Sequence, residues 1–326
     1  MREVQAELAA WLAEGEQVAI ATVVETWGSS PRPVGSHMIV SASGKMAGSV
    51  SNGCIEGDVF VASQEVISQG RGRLLEFGVA DDVAFGAGLA CGGHIELFVS
   101  PIEAAHVRAL EVLTAGQRAL LRTNLDSGEV VLAEQDPGFE LPRSLDRWFE
   151  EPLLPPAQMV IVGAIHIAIP LHHLAKLMGY GVSVVDARAQ FATAERFPAA
   201  DRIVVRWPDE ALAEMSIARS DAVVILTHDP KFDLPALRSA LATQVGYIGA
   251  IGSRKTSANR LRALKAEGFS SGDLARIHGP IGLDLGGRDA ESTALGIMAE
   301  VIAVRYGGRA KSLSSAPGPR SEDAVG

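Results

Sequence analysis

The chain is 326 residues long, 47% hydrophobic and 21% charged, which predicts a folded protein of two domains, since single cores seldom grow beyond about 250–300 residues. The formal net charge of −10 argues against nucleic acid as a partner, because phosphate binding needs a basic face, and two cysteines are too few for a disulfide framework. No stretch is long and apolar enough to span a bilayer, and the opening MREVQAELAAWLAEGEQ lacks the basic and apolar regions of a secretory signal, so a cytoplasmic protein with small-molecule or protein partners is expected.

In chain order, Val4, Leu8, Trp11 and Leu12 recur at helical spacing and predict an amphipathic helix over 2–14. The runs QVAIATVVE, HMIVS, RLLEF and HIELFVS read as strands, separated by the turn-rich GSSPRPVGS, SASGK and FGAGLACGG. A helix over 55–69 is expected to pack on that sheet. A second, over about 103–117, leads to ALLRTNL and EVVLAEQ, two strands joined by Asp126-Ser127-Gly128 as a hairpin. These elements predict an N-terminal α+β domain over 1–140. LPRSLDRWFEEPLLPPAQ then brings four prolines and little periodicity, and predicts a linker over 141–157.

From 158 the texture changes to QMVIVG, a helix ending at Gly179, VSVVDA, RIVV, AVVILT, a helix through 242 and VGYIGAI. Short continuous apolar strands alternating with helices predict a parallel sheet covered on both faces, hence an α/β chain with a Rossmann-like C-terminal domain over 158–306. Further helices begin near Ser253 and run from about Asp289 to Arg305, and the tail over 307–326, rich in Ser, Pro, Gly and Ala, reads as disordered.

Chemistry concentrates at glycine-rich turns. In VSNGCIEGD, Cys54 follows Gly53 and precedes the predicted helix that Glu56 enters; a helix N-terminus favours a thiolate and so a nucleophile or a soft ligand, while the alternative is a small thiol that merely fits. Cys91 stands before Gly92 and Gly93 in FGAGLACGGHIELF, where glycines let backbone amides approach an anion. Neither cysteine has a Cys-x-x-Cys or His-x-x-x-His neighbour, so structural zinc is not expected.

In MVIVGAIHIAI, Gly163 and His166 follow the first strand of the second domain, where a Rossmann fold sets a phosphate on a helix N-terminus. The second glycine of that loop is replaced by Ile165, whose branched side chain would crowd a pyrophosphate. Asp186, closing VSVVD, is placed either to accept from ribose hydroxyls or to cap a turn. His172 and His173, on the same predicted helix as His166, read as ordinary helix residues. IGAIGSRK supplies Gly252, Ser253 and Arg254 at another helix start, to hold an anion or to cap; Asp284, in GLDLGG, is placed to contact a ligand or only to cap.

With these pieces assembled, the chain resembles the XdhC/CoxI family, accessory proteins of molybdenum hydroxylases such as xanthine dehydrogenase and carbon monoxide dehydrogenase. The resemblance rests on ATVVETWGSSPRPVGSHMIV, GSVSNGCIEGDV, LACGGHIELFV, LTHDPKFDLPAL, YIGAIGSRKTSANRLRAL and IHGPIGLDLGG, which span both domains. It implies a non-catalytic chaperone, expected as a homodimer, that binds molybdenum cofactor, meets the cysteine desulfurase that installs a terminal sulfur, and passes the cofactor to an apo molybdenum hydroxylase. On this reading Cys54 and Cys91 make soft contacts to the metal or its sulfur, while Gly53, Glu56, Gly92, Gly93, Gly163, His166, Asp186, Gly252, Ser253, Arg254 and Asp284 line the cofactor. Two positions depart from the family's pattern: Asn52 stands for a glycine in the first cysteine loop, and Ile165 for a glycine in the Rossmann loop. The rival reading is an NAD(P)-dependent oxidoreductase using the Rossmann-like domain, against which Ile165 counts; a third is an assembly scaffold with a vestigial pocket.

Overall fold

The structure, a computed structural model, describes residues 1–28, 30–78, 93–138, 141–312 and 314. The chain divides into two compact units between Pro155 and Pro156.

The first unit opens with a 3-10 turn, Arg2–Val4, and helix α1, Gln5–Ala13. Strands β1 (Val18–Trp27), β2 (His37–Ser41) and β3 (Met46–Gly48) precede helix α2 (Glu56–Gln69), then β4 (Arg73–Phe77), β5 (His94–Pro101) and helix α3 (Ala104–Thr114). These five strands form an antiparallel sheet in the order β3-β2-β1-β5-β4. Both faces of β1 are covered, which explains its nearly unbroken apolar run: Ala19, Ala21 and Val23 meet Ile55, Val59 and Val66 of the α2 segment, while Val18 and Ile20 join a core holding Leu8, Ala109 and Leu113.

A second antiparallel sheet holds β6 (Ala119–Asn124), β7 (Val130–Ala133), β8 (Arg143–Leu145) and β9 (Trp148–Leu153) in the order β7-β6-β9-β8. The expected linker over 141–157 is therefore corrected: most of it is sheet. Two features hid it. Asp146 and Arg147 both have positive φ, 47° and 69°, so they make the two-residue turn that usually advertises itself with glycine. Pro152 sits in β9 past the end of β8, whose pairing stops at Glu150, so its missing N–H falls where no strand needs it.

The second unit holds strands β10 (Gln158–Val162), β11 (Gly181–Val185), β12 (Arg202–Val204), β13 (Ala222–Ile225), β14 (Tyr247–Ala250) and β15 (Ile277–His278) in one parallel sheet, ordered β12-β11-β10-β13-β14-β15. Helices α4 (Ala168–Leu177), α5 (Pro208–Ala213), α6 (Pro230–Leu241), α7 (Arg254–Ala266), α8 (Ser271–Ala275) and α9 (Ala290–Tyr306) connect them, and buried clusters cover both faces of the sheet. The strand order reverses at β10, so the crevice beyond the carboxyl ends of β10 and β13 is the switch point where such sheets bind ligands. The short α5, α8 and β15 carry too few residues for periodicity to announce them. Residue 313 and residues 315–326, most of the expected tail, lie outside the described residues. No described helix is long and apolar enough to cross a membrane.

Candidate functional site

The Cys54 segment is pinned at both ends by apolar side chains. Val50 and Ile55 are fully buried, and the three residues between Ser51 and Ile55 are exposed. What shapes the exposed part is Glu56, the first residue of α2. Its carboxylate accepts from Ser49 Oγ at 2.6 Å, from the amides of Ser51 at 2.9 Å and Gly53 at 2.8 Å, and from Ser51 Oγ. Buried Ser51 then accepts from the amides of Cys54 at 3.0 Å and Ile55 at 2.9 Å. Partial burial raises the Glu56 pKa, but the hydrogen bonds from Ser49 and Ser51 outweigh it and bring it down to about 2.

Glu56, which the resemblance sets among the cofactor-lining residues, is engaged by its own loop. Its oxygens are occupied by the loop it organises, which leaves Cys54 as the exposed, unbonded thiol of the segment. Asn52 and Gly53 both take positive φ, 58° and 107°. Asparagine is the residue other than glycine that tolerates this region most readily, so its substitution at this point keeps the turn. The segment is also tied sideways, by Asn52 Nδ2 to the Pro31 carbonyl at 3.0 Å and by Arg32 Nε to the Ser49 carbonyl at 3.2 Å. Cys91 and Gly92 lie outside the described residues; Gly93, just before β5, is buried.

In the second unit, the loop after β10 carries Gly163 with φ 104°, where an added Cβ would come within 2.8 Å of Thr227 Cγ2. Only glycine fits that approach. Asp186 is buried and fully engaged: Oδ1 accepts from Arg188 N and Nε, both at 2.9 Å, and Oδ2 from the amide of Ala164 at 2.8 Å and Arg188 Nη2 at 2.7 Å. Burial pushes its pKa up, and the Arg188 bonds reverse this and hold it below the ordinary value. Asp186 thus ties the glycine loop to the end of β11, with no oxygen left for a ribose. His166 is exposed and Ile165 half-buried against the core, in a turn that delays α4 until Ala168. His172 is buried edge-on to Phe197, as a core histidine.

Gly252 has φ 153°, and a Cβ there would stand 3.1 Å from Arg260 Nη1. Ser253 caps α7 by accepting from the Thr256 amide at 3.1 Å, and Arg254 is exposed on the first turn. Beneath this loop lies a cluster that the motif reading missed. Arg260 is buried, donates to the Ile251 carbonyl at 2.6 Å and forms an ion pair with buried Asp233, which also accepts from Thr227 Oγ1. The signal was present: Asp233 shares the apolar stripe of α6 with Ala236, Leu237, Ala240 and Leu241, and Arg260 shares that of α7 with Leu264. Opposite charges on two apolar stripes imply that they meet. Asp284 is exposed and accepts from the Gly286 amide at 3.2 Å, closing a local turn.

Within each unit, then, the structure joins Gly53, Cys54 and Glu56 in one loop, Gly163 with Asp186 in another, and Gly252 with Ser253 and Arg254 in a third. Comparison with known proteins follows the same division. Residues 159–301 match the family model described as the XdhC Rossmann domain, and residues 11–78 the one described as the XdhC and CoxI family. The chain is 25% identical to a Bacillus subtilis protein named as a probable xanthine dehydrogenase subunit, over 91% of this chain and 96% of that one. It is 29% identical to the "Molybdenum cofactor insertion chaperone PaoD" of Escherichia coli, over 90% and 85%. A crystal structure named a xanthine dehydrogenase, from Bacillus halodurans, superposes with a TM-score of 0.75 at 25% identity, covering 96% of this chain and 98% of that one.

Proposed function

We propose, from the premise that this chain belongs to the XdhC and CoxI family, that it is a molybdenum-cofactor insertion chaperone: it receives the cofactor as cargo and delivers it to an apo molybdenum hydroxylase. The observation that carries this reading is the presentation of Cys54. Its thiol is exposed on a loop whose Ser49, Ser51 and Glu56 side chains are bonded to one another and to the loop's amides, which leaves a soft sulfur donor open to a guest. Thiolates suit the molybdenum and dithiolene sulfur of such a cargo. The exposed Arg254, beside the Ser253 cap, supplies a guanidinium suited to a phosphate.

Sulfuration by a cysteine desulfurase before delivery, association into a homodimer, a cytoplasmic setting and a soft contact from Cys91 belong to the same proposal. The NAD(P) reading gains nothing from the site, because the carboxylate that a ribose would need is filled by Arg188 and Ala164.

The test is anaerobic reconstitution. Purified protein mixed with molybdenum cofactor and passed through a sizing column retains about one equivalent, and Cys54→Ser retains several-fold less while staying folded. Cofactor eluting wholly apart from the native protein sinks the proposal.

A further inference from the structure

One end of the five-stranded sheet carries a charge pattern that the cargo reading does not use. The register sets Glu25 of β1 opposite Glu96 of β5, and Glu96 opposite Glu76 of β4, so three carboxylates form a row on one face of three adjacent strands. Like charges placed directly opposite destabilise a sheet. His94 lies two residues before Glu96 on the same face, with Nε2 at 3.5 Å from Glu96 Oε1. Its other nitrogen faces Gly78, where a Cβ would stand 3.2 Å from Nδ1, so absence of a side chain there leaves room for the ring.

Three other acids of this unit are each satisfied by nearby donors. Glu56 is satisfied by two serines and backbone amides, half-exposed arginines serve buried Glu150, and buried Glu151 meets the Met1 ammonium and His37. Among the described residues, the one ion-pairing partner of Glu25, Glu76 or Glu96 is the His94 ring. One donor atom each from Glu76, His94 and Glu96 lies within 4.8 Å of the others, close enough for side-chain rotation to bring all three onto one ion.

We propose that Glu76, His94 and Glu96 form a binding site for a divalent first-row metal ion, with Glu25 adding negative field. Two carboxylate oxygens and one imidazole nitrogen suit manganese, iron or zinc, and three protein ligands leave coordination positions open. The same charges repel an anionic cofactor, which separates this site from the cargo function; neither depends on the other. A bound ion would join the neighbouring ends of β4 and β5 and relieve the repulsion between them.

Manganese(II) is the probe of choice because its preference for oxygen and nitrogen keeps it from the two thiols. Full-length protein stripped with a chelator is titrated with Mn2+ while the paramagnetic resonance signal of the free aquo ion is followed. About one equivalent binds per chain, Glu96→Gln and His94→Ala weaken binding by about tenfold or more, and Cys54→Ser leaves it unchanged. Mn2+ raises the thermal midpoint of the native protein and not of Glu96→Gln. Glu76→Gln, at an exposed position where folding is not at stake, loses affinity likewise. Absence of saturable binding, or equal binding by native protein and all three cluster variants, overturns the site.

Discussion

The Cys54 loop and the glycine loops of the second unit use similar residues to opposite ends. Both place a glycine with positive φ before a helix and organise the turn with a carboxylate. In the first unit the carboxylate belongs to Glu56, which holds the loop from behind and leaves Asn52, Gly53 and Cys54 in solvent. In the second, Asp186 and Asp233 lie inside, each consumed by an arginine, and they brace the ends of the parallel strands. A polar group is available to a ligand only when its neighbours have left it a free lone pair or proton, and that is a property of the fold and not of the motif.

The deepest cut into this contrast is Asp233→Ala. It leaves the Arg260 charge buried without its partner and should lower stability by about 3–5 kcal/mol in urea unfolding. A loss under about 1 kcal/mol would mean that the second unit is no more internally braced than the Cys54 loop.

Next comes acid. Burial pushes the His106 pKa down to about 4 from its ordinary value of 6.5, with the neighbouring Glu151 carboxylate opposing and His37 adding to the shift. The unfolded chain therefore binds more protons between those values, and stability, complete above pH 6.5, falls as pH drops toward 4. The expected loss reaches about 3 kcal/mol, read from urea midpoints across that range, and His106→Gln should flatten it. An unchanged slope in that variant would move the effect to another group.

Glu56→Ala is milder, about 1–2 kcal/mol, because the carboxylate is only half-buried and water replaces part of what is lost. Its depressed pKa sets a separate window: the contribution is complete above about pH 4.5 and disappears as pH falls through about 2. Rapid proteolysis within 49–53 in this variant, but not in the native protein, would locate the damage in the loop. Cys54→Ser should change stability by less than about 0.5 kcal/mol, since the thiol has no partner; a larger change would make it a packing residue after all.

The parallel sheet of the second unit was legible because strands buried on both faces read as uninterrupted runs such as MVIV and AVVI, and most of its helices are long enough to show a period. The second sheet of the first unit was only half legible. Its hairpin through Asp126-Ser127-Gly128 shows itself, whereas β8 and β9 turn on Asp146 and Arg147 and carry a proline, both signs that ordinarily mean loop. For the candidate site, glycine spacing located the turns, but it could not say which acids the fold would use up. That Asp186 serves Arg188, and Glu56 serves Ser51, depends on distances fixed only when the strands and helices are set down.

Glu56 is both the clasp of the Cys54 loop and the first residue of a helix whose Val59 and Val66 are buried against the sheet. Loosening the loop therefore means disturbing packed hydrophobic contacts, so the sulfur is aimed before any guest arrives. Under the proposed cargo role, recognition would lose little conformational freedom, and the affinity would rest on the sulfur contact itself.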